Sequence, residues 1–183
     1  MQYNLIDLTL FFIIYGFGGS FFETLFGSII NKKLIIRGGF LTNYFCPLYG
    51  LCAIVIISIY TFSEISIDSR FNALLIATLG SIIAVTFLEY LVGRILDKVF
   101  NHKMWDYSKY PLNLHSYICL DFSMLWGIVS LLLSSFIHPI MEILVFSISN
   151  TIKYNVILIV SAILFVNASY NIRKMFPTHI IKL

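Results

Sequence analysis

Charge is what this sequence has least of. Only 11% of its 183 residues are Asp, Glu, Lys or Arg, against about 25% in a soluble globular domain. A chain so poor in charge cannot cover a water-facing surface of ordinary extent. Cysteine is equally sparse: Cys46, Cys52 and Cys119 show no CxxC or CxxH spacing, which excludes a disulfide framework and supports no metal or redox motif. No GxxxxGK[ST] phosphate loop occurs, so the chain does not hydrolyse ATP through a Walker-type site of its own. The net charge of +3 is too small to argue for a nucleic-acid partner. What is abundant is apolar: 59% hydrophobic and 16% aromatic residues. These proportions indicate an all-α polytopic membrane helix bundle with the lipid bilayer as its first partner. The length suits a single transmembrane domain over 1–183, without a soluble catalytic domain beside it.

Five apolar segments are long enough to cross a bilayer, at about 6–30, 44–62, 71–93, 118–138 and 152–171, since a crossing takes roughly 20 residues. The first has no basic segment ahead of it and is too long for the core of a cleavable signal. The loop after the first span carries Lys32, Lys33 and Arg37, that after the third Arg94, Lys98, Lys103 and Lys109, and the tail Arg173, Lys174 and Lys182. Those are 10 of the 12 basic residues; the alternate loops hold only Arg70 and Lys153. The positive-inside rule then predicts an N-out, C-in topology with cytoplasmic loops 31–43 and 94–117. The stretch after Pro139 is mildly amphipathic and reads as lying at the outer interface. No internal repeat points to an inverted-repeat transporter.

Acids inside a membrane are expensive, about 2.5–3.5 kcal/mol at a helix centre, so each needs a protein-facing or watery environment. Glu23, Glu89 and Asp121 fall within or at the ends of spans, toward the predicted cytoplasmic side. Glu23 shares a face with Gly16, Gly19, Ser20 and Gly27, small residues that let another segment approach closely. Glu89 lies on a stripe with Thr78, Ile82, Thr86 and Gly93, and span four carries a row of Ser123, Gly127, Ser130 and Ser134. Asp121 is about 200° from Ser123 around the helix and falls off that row. Two readings of Glu23 and Glu89 stand side by side. Either they take part in substrate or proton handling, or they pair with Arg37, Arg94 or a tyrosine hydroxyl and lock the bundle. The small-residue rows read as packing rather than a pore.

The cytoplasmic loops mix aromatic, amide and charged residues. Trp105-Asp106-Tyr107-Ser108 reads as an aromatic belt with Asp106 capping local backbone, or as a lid or docking surface. Cys46-Pro47 opens span two, where proline is tolerated in the first turn. Cys46, His115 and Cys119 can all lie at the inner edge, but no spacing forces the three or four converging ligands that a metal needs. No metal or cofactor is expected. The candidate polar site comprises Glu23, Arg37, Cys46, Tyr49, Glu89, Trp105, Asp106, Tyr107 and Asn113.

In order along about residues 11–130 stand Tyr15-Gly16 with Glu23 downstream, Gly39-Phe40-Leu41, Cys46-Pro47-Leu48-Tyr49-Gly50, Leu88-Glu89-Tyr90, Trp105-Asp106-Tyr107-Ser108, Asn113, Cys119-Leu120 and Trp126-Gly127. In this ordered set the chain resembles a family of small bacterial membrane proteins described as type IV ABC-transporter permeases. It departs from that pattern in four places. Gly38 stands where the family has an arginine, with Arg37 displaced by one. Asn43-Tyr44 replaces a Gly-Pro, and Ser116-Tyr117 replaces a Gly-Arg. Asp121 stands where an apolar residue is usual.

The resemblance implies a permease subunit in a bacterial plasma membrane, moving an unidentified solute with a separate cytoplasmic ATPase and pairing with itself or another permease. Loop 94–117 is the expected docking surface. Two alternatives come from other classes. One is a lipid-handling membrane enzyme using a carboxylate at the cytoplasmic interface, for which no complete nucleophile–base–orienter set is present. The other is a structural or assembly subunit.

Overall fold

A computed structural model describes residues 3–33, 42, 44–101 and 103–175. The described chain is helical apart from one small hairpin: α1 Leu5–Asn31, α2 Pro47–Ser66, α3 Arg70–Phe100, β1 Asn113–Leu114, β2 Ile118–Cys119, α4 Leu120–Leu132, a π-helical turn Leu133–Ile137, α5 His138–Phe146 and α6 Asn150–Met175. Five segments are long and apolar enough to cross a membrane: Leu5–Ile29, Pro47–Ser66, Arg70–Phe100, Leu120–Phe146 and Asn150–Arg173. Long faces of leucine, isoleucine and phenylalanine are left exposed on these helices, as expected where lipid rather than water is the solvent.

Local chemistry sets the helix ends. Asn4 caps α1, its Oδ1 accepting the Asp7 N–H at 2.8 Å, which satisfies one of the orphan donors of the first turn. Lys32 and Asn101 close α1 and α3 in the left-handed region, each with φ 51°, the usual way of turning a chain out of a helix. The fourth apolar helix does not stop near Pro139. It passes through the π turn and continues as α5 to Phe146, with Pro139 in the first turn of α5. Proline lacks an N–H and crowds the preceding turn, and the wider π turn lies directly before it.

The chain forms two compact units, with the division falling inside α2. The first, residues 51–147, is built on α3 against α4. The buried row of α3 is Ala73, Ala77, Ser81, Val85, Glu89, Gly93 and Leu96. Its steps of four up to Gly93 make it an i±4n ridge, which differs from the stripe read from the sequence. Thr78, Ile82 and Thr86 flank this row, half-buried, and only Glu89 and Gly93 belong to both. On α4 the buried positions are Ser123, Gly127 and Ser130, and Asp121 is exposed. A Cβ at Gly127 would stand 2.7 Å from Ile82 Cδ1, so the missing side chain is what lets α3 and α4 meet this closely.

The second unit comprises residues 3–50 and 148–175 among those described. Here the small face of α1 is filled by the segment that leads into α2. A Cβ at Gly16 would overlap the Phe45 ring, and one at Gly19 would lie 2.6 Å from Tyr49 Cβ. In return, Gly50 sits against the Phe12 backbone, where a Cβ would meet the carbonyl oxygen at 2.6 Å. The Cys46 N–H donates to the Gly16 carbonyl at 3.2 Å. α6 also packs on α1.

Candidate functional site

The residues singled out in the sequence collect into two clusters, one in each unit. Arg37 lies outside the described residues, as does most of loop 31–43.

In the second unit, Glu23 accepts a hydrogen bond from the Tyr49 hydroxyl at 2.8 Å. The Gly19–Tyr49 contact explains the approach, because the absent Cβ brings the tyrosine stem against α1 one turn before the acid. Cys46 is buried beside the same segment as a free thiol. Thr42 donates its hydroxyl to the Phe45 carbonyl, which helps fix the entry to α2.

In the first unit, Glu89 is buried and takes two donors: the Tyr107 hydroxyl at 3.0 Å on Oε1 and Trp126 Nε1–H at 3.2 Å on Oε2. Tyr107 arrives from the segment between α3 and α4, which folds back as a cap. Three aromatic residues hold that cap down. Trp105 donates Nε1–H to the Tyr117 carbonyl at 2.7 Å and lies against Gly93, where an added Cβ would be 3.2 Å from its ring. Tyr107 stacks on Phe122 of α4 with ring centroids 4.7 Å apart. Tyr117 donates its hydroxyl to Asp97 at 2.6 Å.

Backbone geometry completes the cap. β1 pairs antiparallel with β2, Asn113 opposite Cys119 and Leu114 opposite Ile118. The turn between them uses positive φ at His115 (52°) and Ser116 (65°), which a tight hairpin reversal of this hand demands. Asn113 braces it from both ends, donating to the Tyr110 carbonyl and accepting the Ser116 N–H. Asp106 accepts the Ser108 N–H at 2.9 Å, and that bond holds its carboxyl below the usual range. Arg94 does not pair with Glu89. It donates to the Tyr90 hydroxyl at 3.3 Å, which also meets His115 Nδ1 at 3.3 Å.

The Tyr117 phenol is raised above its ordinary value, first by donating to Asp97, then by burial and the neighbouring negative charge. Because the folded value is raised, the contribution of this contact is complete below the unfolded phenol value of about 10 and is lost as pH climbs through the raised one. The cap is therefore expected to loosen above about pH 10. In an alkaline series, tryptic cleavage at Lys103 and Lys109 should rise in the native protein, and Tyr117→Phe should flatten that rise.

Three features of these clusters were not singled out from the sequence. Trp126 was noted only as part of a motif, yet an indole N–H inside a membrane needs an acceptor, and Glu89 needs donors. Asp97, the anchor of Tyr117, carries no sequence pattern that marks it. The largest omission is a buried ion pair in the second unit, Lys153 Nζ to Asp7 Oδ1 at 2.6 Å, with side chains only 4% and 6% exposed. The signal was available: Asp7 and Lys153 each lie just inside the first residues of spans one and five, which start on the same side of any five-span topology.

Among the described residues no three His, Cys, Asp or Glu side chains converge on a possible metal position. Each acid cluster instead offers a hydrogen-bonded carboxylate beside aromatic side chains. A family model described as Putative ABC-transporter type IV matches residues 10–172. Neither curated proteins nor solved structures give a match.

Proposed function

As the chain belongs to this ABC-transporter family, we propose that it is the membrane-embedded permease subunit of a transport system whose ATPase is a separate chain. The observation that carries this reading is the extent of the family match, residues 10–172, which reaches all five apolar helices. The lack of a phosphate loop supports a division of labour in which another chain supplies ATP hydrolysis. Charge placement supports an N-out, C-in orientation in a bacterial plasma membrane, and under it the cap faces the cytoplasm. Thiol labelling of cysteines placed at Ser66 and Ser108 should then mark them from opposite sides of the membrane; labelling from one side overturns the orientation.

The cap also supplies a docking surface. Its inner side is spent on Glu89, Gly93 and Asp97, while Tyr110, Leu112 and Leu114 are 41%, 76% and 50% exposed beside the exposed Lys103 and Lys109. Apolar residues presented outward by a hairpin rimmed with lysines suit a protein partner. Purification in mild detergent should bring down an ATPase, and Leu112→Asp with Leu114→Asp should release it while the helix content is unchanged. Purification without any ATPase, or an ATPase retained by the double variant, counts against the permease reading and the docking face respectively.

A further inference from the structure

Arg94 stands beyond a long uncharged stretch. Between Arg70 and Glu89 the helix α3 carries no charge, and Arg94, Asp97 and Lys98 follow in its last two turns. The 31 residues of α3 run about 46 Å at 1.5 Å per residue. The hydrocarbon layer is about 30 Å thick, so the charged end of α3 reaches the headgroup layer. Leu91, Ile95 and Val99 stay exposed along that end, a strip that suits acyl chains. Side chains on a helix lean toward its N-terminus, and Arg94 follows the rule. Its Nη1 donates to the Tyr90 hydroxyl, one turn back, at 3.3 Å. The guanidinium is thereby drawn toward the edge of the hydrocarbon.

The nearest acid does not compensate it. Asp97, three residues on, accepts the Tyr117 hydroxyl at 2.6 Å, and among the described residues Arg94 forms no ion pair. A guanidinium has five N–H donors, and Arg94 uses one, on a neutral oxygen. The hairpin supplies a second, independent observation. His115, at φ 52° in the turn between β1 and β2, brings Nδ1 to 3.3 Å from the same Tyr90 oxygen. A hydroxyl has one proton to give. If Tyr90 gives it to Nδ1, a neutral imidazole keeps its own on Nε2, free to donate. If Nδ1–H is the donor, the Tyr90 proton is free instead. Either arrangement leaves spare donors around Arg94, which is what an oxyanion requires. Lys98, exposed and four residues from Arg94, adds a second positive charge on that face.

We propose that Arg94, Tyr90 and His115, with Lys98 beside them, bind the headgroup phosphate of an anionic phospholipid. The guanidinium fork matches two phosphate oxygens, and the freed Tyr90 or His115 donor takes a third. Basic side chains at a membrane edge attract anionic lipid. A zwitterionic lipid would bring its own ammonium against Arg94 and Lys98. A free phosphate ion would leave the strip of Leu91, Ile95 and Val99 without acyl chains. Half-exposed Trp105, lying against Gly93, puts an aromatic ring at the same level, as membrane interfaces favour. Bound there, the phosphate bridges α3 to the hairpin and adds a lipid tie to the cap. This inference is independent of the transport reading and needs only that α3 spans a bilayer.

The test uses the full chain in detergent micelles. Phosphatidylglycerol brominated on its acyl chains is added at rising mole fraction, and brominated phosphatidylcholine is run in parallel. Bromine quenches a nearby indole, and Trp105, packed on Gly93 next to Arg94, is the reporter. Trp126, the other tryptophan, gives a background common to every form. Phosphatidylglycerol should quench saturably and at lower mole fraction than phosphatidylcholine. Arg94→Gln should raise the mole fraction needed by about tenfold, the scale of one charge-assisted hydrogen bond. His115→Asn, chosen because asparagine tolerates the left-handed backbone, should raise it a few-fold. Arg94→Lys keeps the charge but not the fork and should recover only part of the loss. Arg70→Gln, at the opposite end of α3, should change nothing. If Arg94→Gln does not fold, His115→Asn decides. Equal quenching by both lipids, or a native response in Arg94→Gln or His115→Asn, overturns the proposal. So does full recovery in Arg94→Lys, which would reduce the site to diffuse charge attraction. Relief of quenching by an equal concentration of inorganic phosphate would assign the site to the free ion and overturn the lipid as its ligand.

Discussion

Lys153→Met should lower the stability of the protein by about 3–5 kcal/mol, the usual result of removing one partner from a buried ion pair. The native pair is close, 2.6 Å, and both side chains are almost fully buried. Its placement gives the reason. Asp7 lies in the first turn of α1, where negative charge is favoured by the helix dipole. Lys153 lies near the first turn of α6, where positive charge is disfavoured. The cation is tolerated there because the acid is beside it. Methionine leaves Asp7 buried without its counter-charge, whereas Asp7→Leu combined with Lys153→Met removes both charges and should recover most of the loss. Denaturation followed by circular dichroism in mixed detergent measures this. A single variant as stable as the native chain would show that the pair contributes nothing to holding α6 on α1.

The second large effect concerns the cap. Trp105→Ala should make its opening easier by about 2–3 kcal/mol, below the cost at a fully buried tryptophan because this ring is half-exposed. The variant loses the Nε1–H bond to the Tyr117 carbonyl and the ring that covers Gly93. The open population should rise by roughly 30- to 150-fold. Where reclosing is faster than cleavage, tryptic cutting at the exposed Lys103 and Lys109 rises in proportion. Trp105→Phe keeps most of the packing and loses only the hydrogen bond, so it should make opening easier by about 1 kcal/mol. Equal cleavage of all three forms would mean that Tyr107 and Tyr117 hold the cap without Trp105.

Five apolar helices were legible because span length and hydropathy are local properties. The glycines of α1 announced a close approach, but not that the Phe45–Tyr49 segment makes it. Glu89 was legible as an intramembrane acid, and Tyr107 as a polar aromatic near the inner edge. Their hydrogen bond was not, because 18 residues separate them and the chain must fold back beyond the end of α3 at Phe100. The row on α3 was misplaced by one position at most levels, since spacings of three and four are nearly equivalent on a bare helix and only the neighbour α4 selects the ridge.

The sequence alone determined that the chain is a membrane helix bundle, because too little charge is present to face water. It also shows no Walker-type phosphate loop within these residues. The tertiary structure decided which acids are compensated. Asp7 meets Lys153 146 residues away, while Glu89 meets only neutral donors. That distinction depends on which side chains arrive from distant segments, and no local pattern carries it. The buried carboxylate of Glu89 is set apart by having neutral donors where Asp7 has a cation.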